Sequence, residues 1–350
     1  MKLTLLLLAS VYLPLLQGAK IKINIRLPDD YVYSQQRNSR QAAATACSDK
    51  VMISRSALSP LPGMLNRLND RVKFFQSQYA SNTLNDFLNK AEVPGIDMPK
   101  VADILQVLRD EECPVFIYGG VVRDQFLGRA PNDVDVEVDC TIATVVNICK
   151  ENWGDNNCGK ETDTITHIGT PMDPKAIDLA PTTSTFYASL TQLEFTANSL
   201  AYDTNGLDVI IDLSGNGVED VCAKKIRIPS DDNSVASWDM WKTASPNKIY
   251  RFWKLRSKEF TAYNEETRNY IVSSAQTAIN SDSPIGFQFK RFYCDAVYGR
   301  YSYNSDRNTC SETSNVCKAK SGTANTYKMV LDNDLGDTYV TTLQLPTCGK

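Results

Sequence analysis

Asp133 and Asp135 are the residues whose type and spacing speak most directly of chemistry. They alternate with Val134 and Val136, which is strand periodicity. A strand puts residues i and i+2 on one face, so both carboxylates point the same way. Carboxylates held that close repel each other unless a divalent cation lies between them. Upstream stands the pair Gly119-Gly120, directly after the apolar run Val115-Phe116-Ile117-Tyr118. Glycines lack side chains, so their backbone N–H groups can approach phosphate oxygens closely. A short helix starting at Val121 would turn its positive end toward the same phosphates. Arg123 and Asp124 follow, then a second turn at Gly128-Arg129. This pattern suits a nucleoside triphosphate held together with magnesium or manganese.

The whole string from Gly119 to Asp135 reads GGVVRDQFLGRAPNDVD. It resembles the signature GGxVRDxLLGRxPxDxD of the class II tRNA nucleotidyltransferases and bacterial poly(A) polymerases, of the DNA polymerase beta superfamily, without a gap. A second block, EFTANSLAYDTNGLDVIIDLSGNGVEDVCAKKIR at 194–227, is similar to that family's DFTINALAYD…IIDPFGGxEDLxxxxIR. A third, SPNKIYRFWKLRSKEF at 245–260, sits where the family has DPLRILRAVRFAARLGF. The blocks run in family order over roughly half of the chain. The resemblance implies an α+β fold: a nucleotidyltransferase head with a small mixed sheet and flanking helices, a helical neck, and here a disulfide-rich tail. It implies Asp133 and Asp135 as metal ligands and catalytic residues, with Asp178 as a third catalytic carboxylate. It implies Gly119, Gly120, Arg123, Asp124, Asn198, Lys248 and Arg251 as the nucleotide-binding set.

The departures are as informative. The family's two arginines before FTINA, which contact the nucleotide, are replaced by Gln192 and Leu193. Its base-reading Glu-Asp-x-x-Arg falls on Ala244, Ser245 and Lys248. A point-charge lysine does not replace a planar, bidentate guanidinium. The metal and phosphate half of the site is kept in sequence; the base-selecting half is not. For several residues two readings stand side by side. Arg123 and Asp124 make either a phosphate contact or an ion pair that fixes the glycine turn. Asp178 is either a ligand or a strand-end acid. Asn198 bonds backbone near the site or caps a turn. The basic stripe Lys248, Arg251, Lys254 and Lys258 faces either phosphate or solvent. His167, the single histidine, reads as a loop residue.

The elements that must position these groups follow from periodicity. KIKINIRL reads as a first strand. Leu65, Leu68, Val72, Phe75 and Tyr79 recur at helical spacing. A second helix starts near Asp97-Met98-Pro99, with apolar stripe Val101, Ile104, Leu105 and Leu108. Thr141–Lys150 reads as helix; 176–180 and 209–213 read as strands. Asp212 would serve the turn at Gly215–Gly217. Residues 229–245 read as a polar connection, and the pattern turns helical again from Pro246.

The first residues, MKLTLLLLASVYLPLLQGAK, read as a secretory signal peptide cleaved near Gly18-Ala19. The run is short for a bilayer and broken by Pro14, and no later stretch suits a membrane span. The expected organisation is a signal peptide at 1–18, a partly helical extension at 19–96, the head at 97–228, the neck at 229–290 and a Cys-rich tail at 291–350. Ten cysteines behind a signal peptide read as disulfides. Without a CxxC pair and with one histidine, a structural zinc site is disfavoured. Cys113 and Cys140 flank strands that, if antiparallel neighbours, bring the thiols together. Cys294, Cys310, Cys317 and Cys348 are expected to pair within the tail. The net charge of −4 offers no global basic surface for long RNA. The tail stands where the family's tRNA enzymes have further helical domains, which weakens tRNA as a substrate.

Two functions remain open on these residues. One is a secreted, metal-dependent nucleotidyltransferase acting on a nucleoside triphosphate and an RNA 3′ end. The other is a secreted, catalytically degenerate relative serving as an extracellular binding or matrix protein, with unknown extracellular partners.

Overall fold

The computed structural model describes residues 19–24, 43–58, 70–93, 100–129, 131, 133–162, 165–168, 194–230, 234–244, 251–279, 303–304, 309–310 and 333–335. The signal-peptide reading, Asp178 and Lys248 fall outside them.

A seven-stranded sheet organises the molecule, in the order β1-β5-β4-β8-β9-β3-β2. Its strands are β1 (Ala19–Asn24), β2 (Val51–Ile53), β3 (Lys73–Gln76), β4 (Val115–Tyr118), β5 (Asp133–Val138), β8 (Leu200–Asp203) and β9 (Ile210–Asp212). Between β5 and β8 in sequence, β6 (Cys158–Thr162) and β7 (Ile165–Ile168) form a separate hairpin. The α+β class is as the sequence implies. Within it, every pairing of the large sheet is antiparallel, so the strands are not mixed in direction. The reason lies in the connections. A parallel pair needs a crossover spanning the sheet. The β4–β5 connection holds only the seven-residue helix Gly120–Phe126, and β8 and β9 are joined by a tight turn.

β4 is central and buried on both faces. Val115 and Ile117 join the larger apolar cluster under the helices; Phe116 and Tyr118 join the smaller cluster on the other face. On β5, Val134, Val136 and Val138 pack into the larger cluster. Strand alternation therefore assigns positions 133, 135 and 137 to the opposite face. The helices Gln78–Lys90 and Val101–Asp110 cover the larger cluster. The stripe Val101, Ile104, Leu105 and Leu108 is buried as its spacing predicts.

Two local expectations are corrected. Phe75 is not helical: Phe74 and Phe75 lie on β3 and fill opposite faces of the sheet. The helix begins afterwards, where the Ser77 hydroxyl accepts from the Ala80 N–H at 3.1 Å. The 229–245 stretch is not only a connection, since Val235–Ala244 is helical and Trp238 is buried. An indole that large is too apolar to leave on a loop.

Disulfides tie distant parts together. Cys113–Cys140 closes the β4/β5 end of the sheet, as antiparallel neighbours allow. Cys149–Cys158 pins the Ile142–Trp153 helix to β6. Cys47–Cys222 joins segments 175 residues apart. Pairing among the four tail cysteines lies outside the described residues. Even so, Asp334 and Leu335 reach the neck. The Trp253 indole N–H donates to Asp334 at 3.0 Å, and Arg268 donates to the same carboxylate at 2.7 Å.

A cross-link restricts the unfolded chain more when its loop is longer. The double variant Cys47→Ala/Cys222→Ala is therefore expected to lose about 2–5 kcal/mol of stability. Urea unfolding under non-reducing conditions measures it.

Candidate active site

The second sequence block builds the floor of the site. Asp212 ends β9 fully buried, and its carboxylate accepts from the Val218 N–H and the Ser214 hydroxyl, each at 3.0 Å. It thus holds the turn that starts the Gly217–Ala223 helix, the structural role its position predicts. Burial pushes its carboxyl up, against the pull of those donors. Gly217 lies against Thr196, Leu200 and Asp212, where an added Cβ would come within 2.6 Å of the Thr196 carbonyl. Asp220 accepts from the Thr196 hydroxyl at 2.6 Å and pairs with Arg227 at 3.1 Å. Burial lifts its carboxyl to about 6. The Arg227 guanidinium in turn covers the Tyr263 ring at 4.3 Å.

Above this floor, β4 ends at Tyr118 and the chain turns through Gly119 at φ +77°, a conformation open chiefly to glycine. The Gly119 N–H donates to the Leu200 carbonyl at 2.8 Å. It is spent in the sheet ladder, so the expectation that it cradles phosphate is corrected. What Gly119 supplies is space: a Cβ there would stand 3.7 Å from the Asp135 carboxylate. Gly120 begins the helix with the Arg123 guanidinium folded beneath it, 3.3 Å from where a Cβ would be.

Arg123, Asp124, Asn198 and Arg251 lie in one network that Glu194 and Lys258 complete. Arg123 and Asp124 are 5% and 4% exposed. The Arg123 Nε and Nη2 both reach Asp124 Oδ1 at 2.9 Å. Lys258 Nζ takes Asp124 Oδ2 at 2.5 Å. Arg123 Nη1 donates to Asn198 Oδ1. Asn198 Nδ2 donates to Glu194 at 3.0 Å, and Arg251 donates to the same Glu194 oxygen at 2.7 Å. The ion-pair reading of Arg123-Asp124 is therefore the one the geometry supports. The predicted basic stripe splits: Arg251 and Lys254 are exposed, while Lys258 turns inward.

Sequence reasoning missed Lys258 and Glu194 as partners. A turn lysine carries no periodic signal, and only the apolar neighbours Leu255 and Phe260 hint at its burial.

The electrostatics follow from one carboxylate serving two cations. Burial alone would raise the Asp124 carboxyl, but Arg123 and Lys258 together hold it below the usual carboxylate range. Burial, aided by the Arg123 charge, pushes the Lys258 ammonium down to about 7, against the pull of Asp124.

Asp135 pairs in register with Tyr118 on β4 and stands opposite Lys22 on β1. It keeps partial exposure, whereas Glu137 on the same face is fully buried. Asp133 is described only through its backbone, opposite Asn24. Among the described residues no three acidic, histidine or cysteine side chains gather as a metal set. The donor chemistry of the Asp133/Asp135 pair, oxygen ligands on one strand beside a side-chain-free glycine, fits a hard divalent cation.

With this geometry in place, known proteins can be set beside the chain. Residues 115–194 match the family described as the Poly A polymerase head domain. This segment is similar to that head domain. The match opens at β4 and closes at Glu194, so it contains the glycine turn, both strand aspartates and the Arg123–Asp124 pair, while Lys258 lies beyond it. No curated protein matches the chain. Among solved structures, the chain is similar to a Thermotoga maritima CCA-adding enzyme complexed with tRNA, at 15% identity and TM-score 0.45, covering 83% of this chain and 56% of that one. It is similar to a CCA-adding enzyme with CTP at 17% identity and TM-score 0.46, covering 82% and 55%. A CCA-adding enzyme with ATP gives 14% identity and TM-score 0.48, covering 75% and 55%. The chain thus spans just over half the length of these structures.

Two outcomes follow from the Asp124 clasp. Lys258 binds its proton less tightly in the folded protein than in the unfolded chain. Between about pH 7 and the ordinary lysine value the unfolded state holds more protons, so this group makes stability rise with pH across that window. Lys258→Met is expected to flatten that rise in urea midpoints measured from pH 6 to 9. Asp124→Asn leaves two buried cations without their carboxylate and is expected to cost about 3–5 kcal/mol in the same measurement.

Proposed function

We propose that this chain is a secreted, divergent nucleotidyltransferase whose head domain binds a nucleoside triphosphate with a divalent cation where β4 leads into Gly119 and β5 begins at Asp133. One observation carries this reading: Asp135 keeps partial exposure beside Gly119, whose missing side chain leaves the approach to that carboxylate open. Asp133 and Asp135 would hold magnesium or manganese. Such a cation, when bound, offsets triphosphate charge and lowers the pKa of an attacking hydroxyl. The chain's own residues supply the positioning. Gly119 leaves room for phosphate, and the Asp124 clasp holds the following helix in place, so little reorganisation is left to the reaction. An RNA 3′ hydroxyl is the acceptor that the resemblance implies. Secretion is part of the same proposal, supported by the apolar leader at 1–18 and by three disulfides among the described residues. No helix among the described residues is long and apolar enough to cross a membrane.

A second reading has its own observation. Arg123, Asp124, Asn198 and Arg251 are taken up by protein partners, Glu194 and Lys258 among them, and the Gly119 N–H is taken by Leu200. Together with the replaced base-reading residues, this favours a head domain that binds without transferring, in the service of extracellular partners.

Incorporation of labelled nucleoside triphosphates into short RNA primers, with magnesium or manganese, separates the readings. Asp133→Asn/Asp135→Asn is expected to abolish incorporation. It is also expected to weaken cation affinity by more than about 100-fold, because ligand loss exceeds the effect of outer-shell changes. Binding without incorporation in the wild type would select the second reading.

A further inference from the structure

At the other end of β4 lies a cavity of about 340 Å³ that the head-domain chemistry does not use. It opens where three elements meet: the Gln78–Lys90 helix, the Val101–Asp110 helix and the turn joining β8 to β9. Thr204, on its wall, donates to the Val115 carbonyl at 2.7 Å, at the start of β4. Gly119 follows the end of that strand. Four residues of strand, about 13 Å at the usual rise, separate the two places.

The lining is dense in hydrogen-bond donors and acceptors. Asn85 and Asn89 come from one helix, Asp103, Gln106 and Arg109 from the other, and Thr204 and Asp208 from the turn. Leu88, Ala102 and Leu105 supply an apolar wall. The polar groups are fixed from behind. The Arg109 guanidinium donates to Gln106 at 2.7 Å, and Gln106 donates to Asp110 at 2.6 Å. Tyr202, buried beneath, donates to Asp208 Oδ1 at 3.1 Å, and burial pushes its phenol up to about 12. It therefore stays a donor at any physiological pH. The turn carrying Asp208 is itself held by Asp203, which accepts from the Asn205 and Leu207 N–H groups at 3.1 and 2.9 Å. Asp103 has no hydrogen-bond or ionic partner among the described residues.

Charge narrows the ligand. Two carboxylates, Asp103 and Asp208, line the cavity beside one guanidinium, Arg109, which already serves Gln106. That balance repels phosphates and other strong anions, so a second nucleotide site is excluded. Carboxamides, carboxylates and an arginine above a small apolar wall match hydroxyl groups, which donate and accept at once, on a ring with an apolar face. We propose that this cavity binds a small neutral saccharide, independently of the nucleotide end of the sheet.

The test uses the full secreted protein. Saturation-transfer NMR and calorimetry would be run with glucose, galactose, N-acetylglucosamine and lactose, beside spermidine and inorganic phosphate. At least one saccharide is expected to bind. Asp103→Ala and Gln106→Ala, both exposed and away from the core, are expected to weaken it by tenfold or more with unchanged circular dichroism. Asp135→Asn is expected to leave it unchanged, which separates this site from the nucleotide reading. Absence of saccharide binding at millimolar concentration would overturn the proposal. So would binding indifferent to Asp103 and Gln106, or a preference for spermidine or phosphate.

Discussion

One buried carboxylate, that of Asp124, joins the glycine turn to the helical neck. Its two oxygens are divided between Arg123, on its own helix, and Lys258, from the neck. Neither cation has enough water to stand without it, and it has too little water to stand without them. The start of the Gly120–Phe126 helix is thereby fixed in place and in angle. Through Asn198 the same network runs to Glu194 and out to Arg251. The strand turn, the Thr196–Asn198 turn and the neck helix thus move as one piece, and the Asp135 carboxylate inherits a rigid setting.

A second set of buried acids does similar work on the opposite flank. Asp212 organises the turn into the Gly217–Ala223 helix, and Asp220 links Thr196 to Arg227. Asp334 gathers Trp253 and Arg268 and brings the tail against the neck. Asp212 and Asp220 tie the second block within itself, whereas Asp334 accepts from residues far away in sequence.

Much of this was legible beforehand, for physical reasons that differ by element. β4 and β5 declare themselves because one is continuously apolar and the other alternates, and these are the patterns of a doubly buried and a half-buried strand. The Val101–Asp110 helix shows its stripe openly. Cys113 and Cys140 could be paired because antiparallel neighbours end side by side. Phe75 misled because two adjacent apolar residues on a strand buried on both faces mimic one turn of a helix. Lys258 misled because spacing on a helix says nothing of a residue just past its end, where the chain turns inward. Gly119 was read as a phosphate donor, but a residue that closes a ladder donates to the ladder first. The candidate site was legible in its residues and not in its wiring, since partners such as Glu194 and Lys258 are set by tertiary contact alone.

The central claim is that a divalent cation and a triphosphate meet at the Asp133–Asp135 face beside Gly119. Amide NMR with manganese and a non-hydrolysable nucleoside triphosphate tests it most directly, because the paramagnetic ion broadens only nearby signals. The account requires broadening centred on 133–135 and 118–122, present only when both ligands are added. Broadening centred elsewhere, or none with both present, would contradict it.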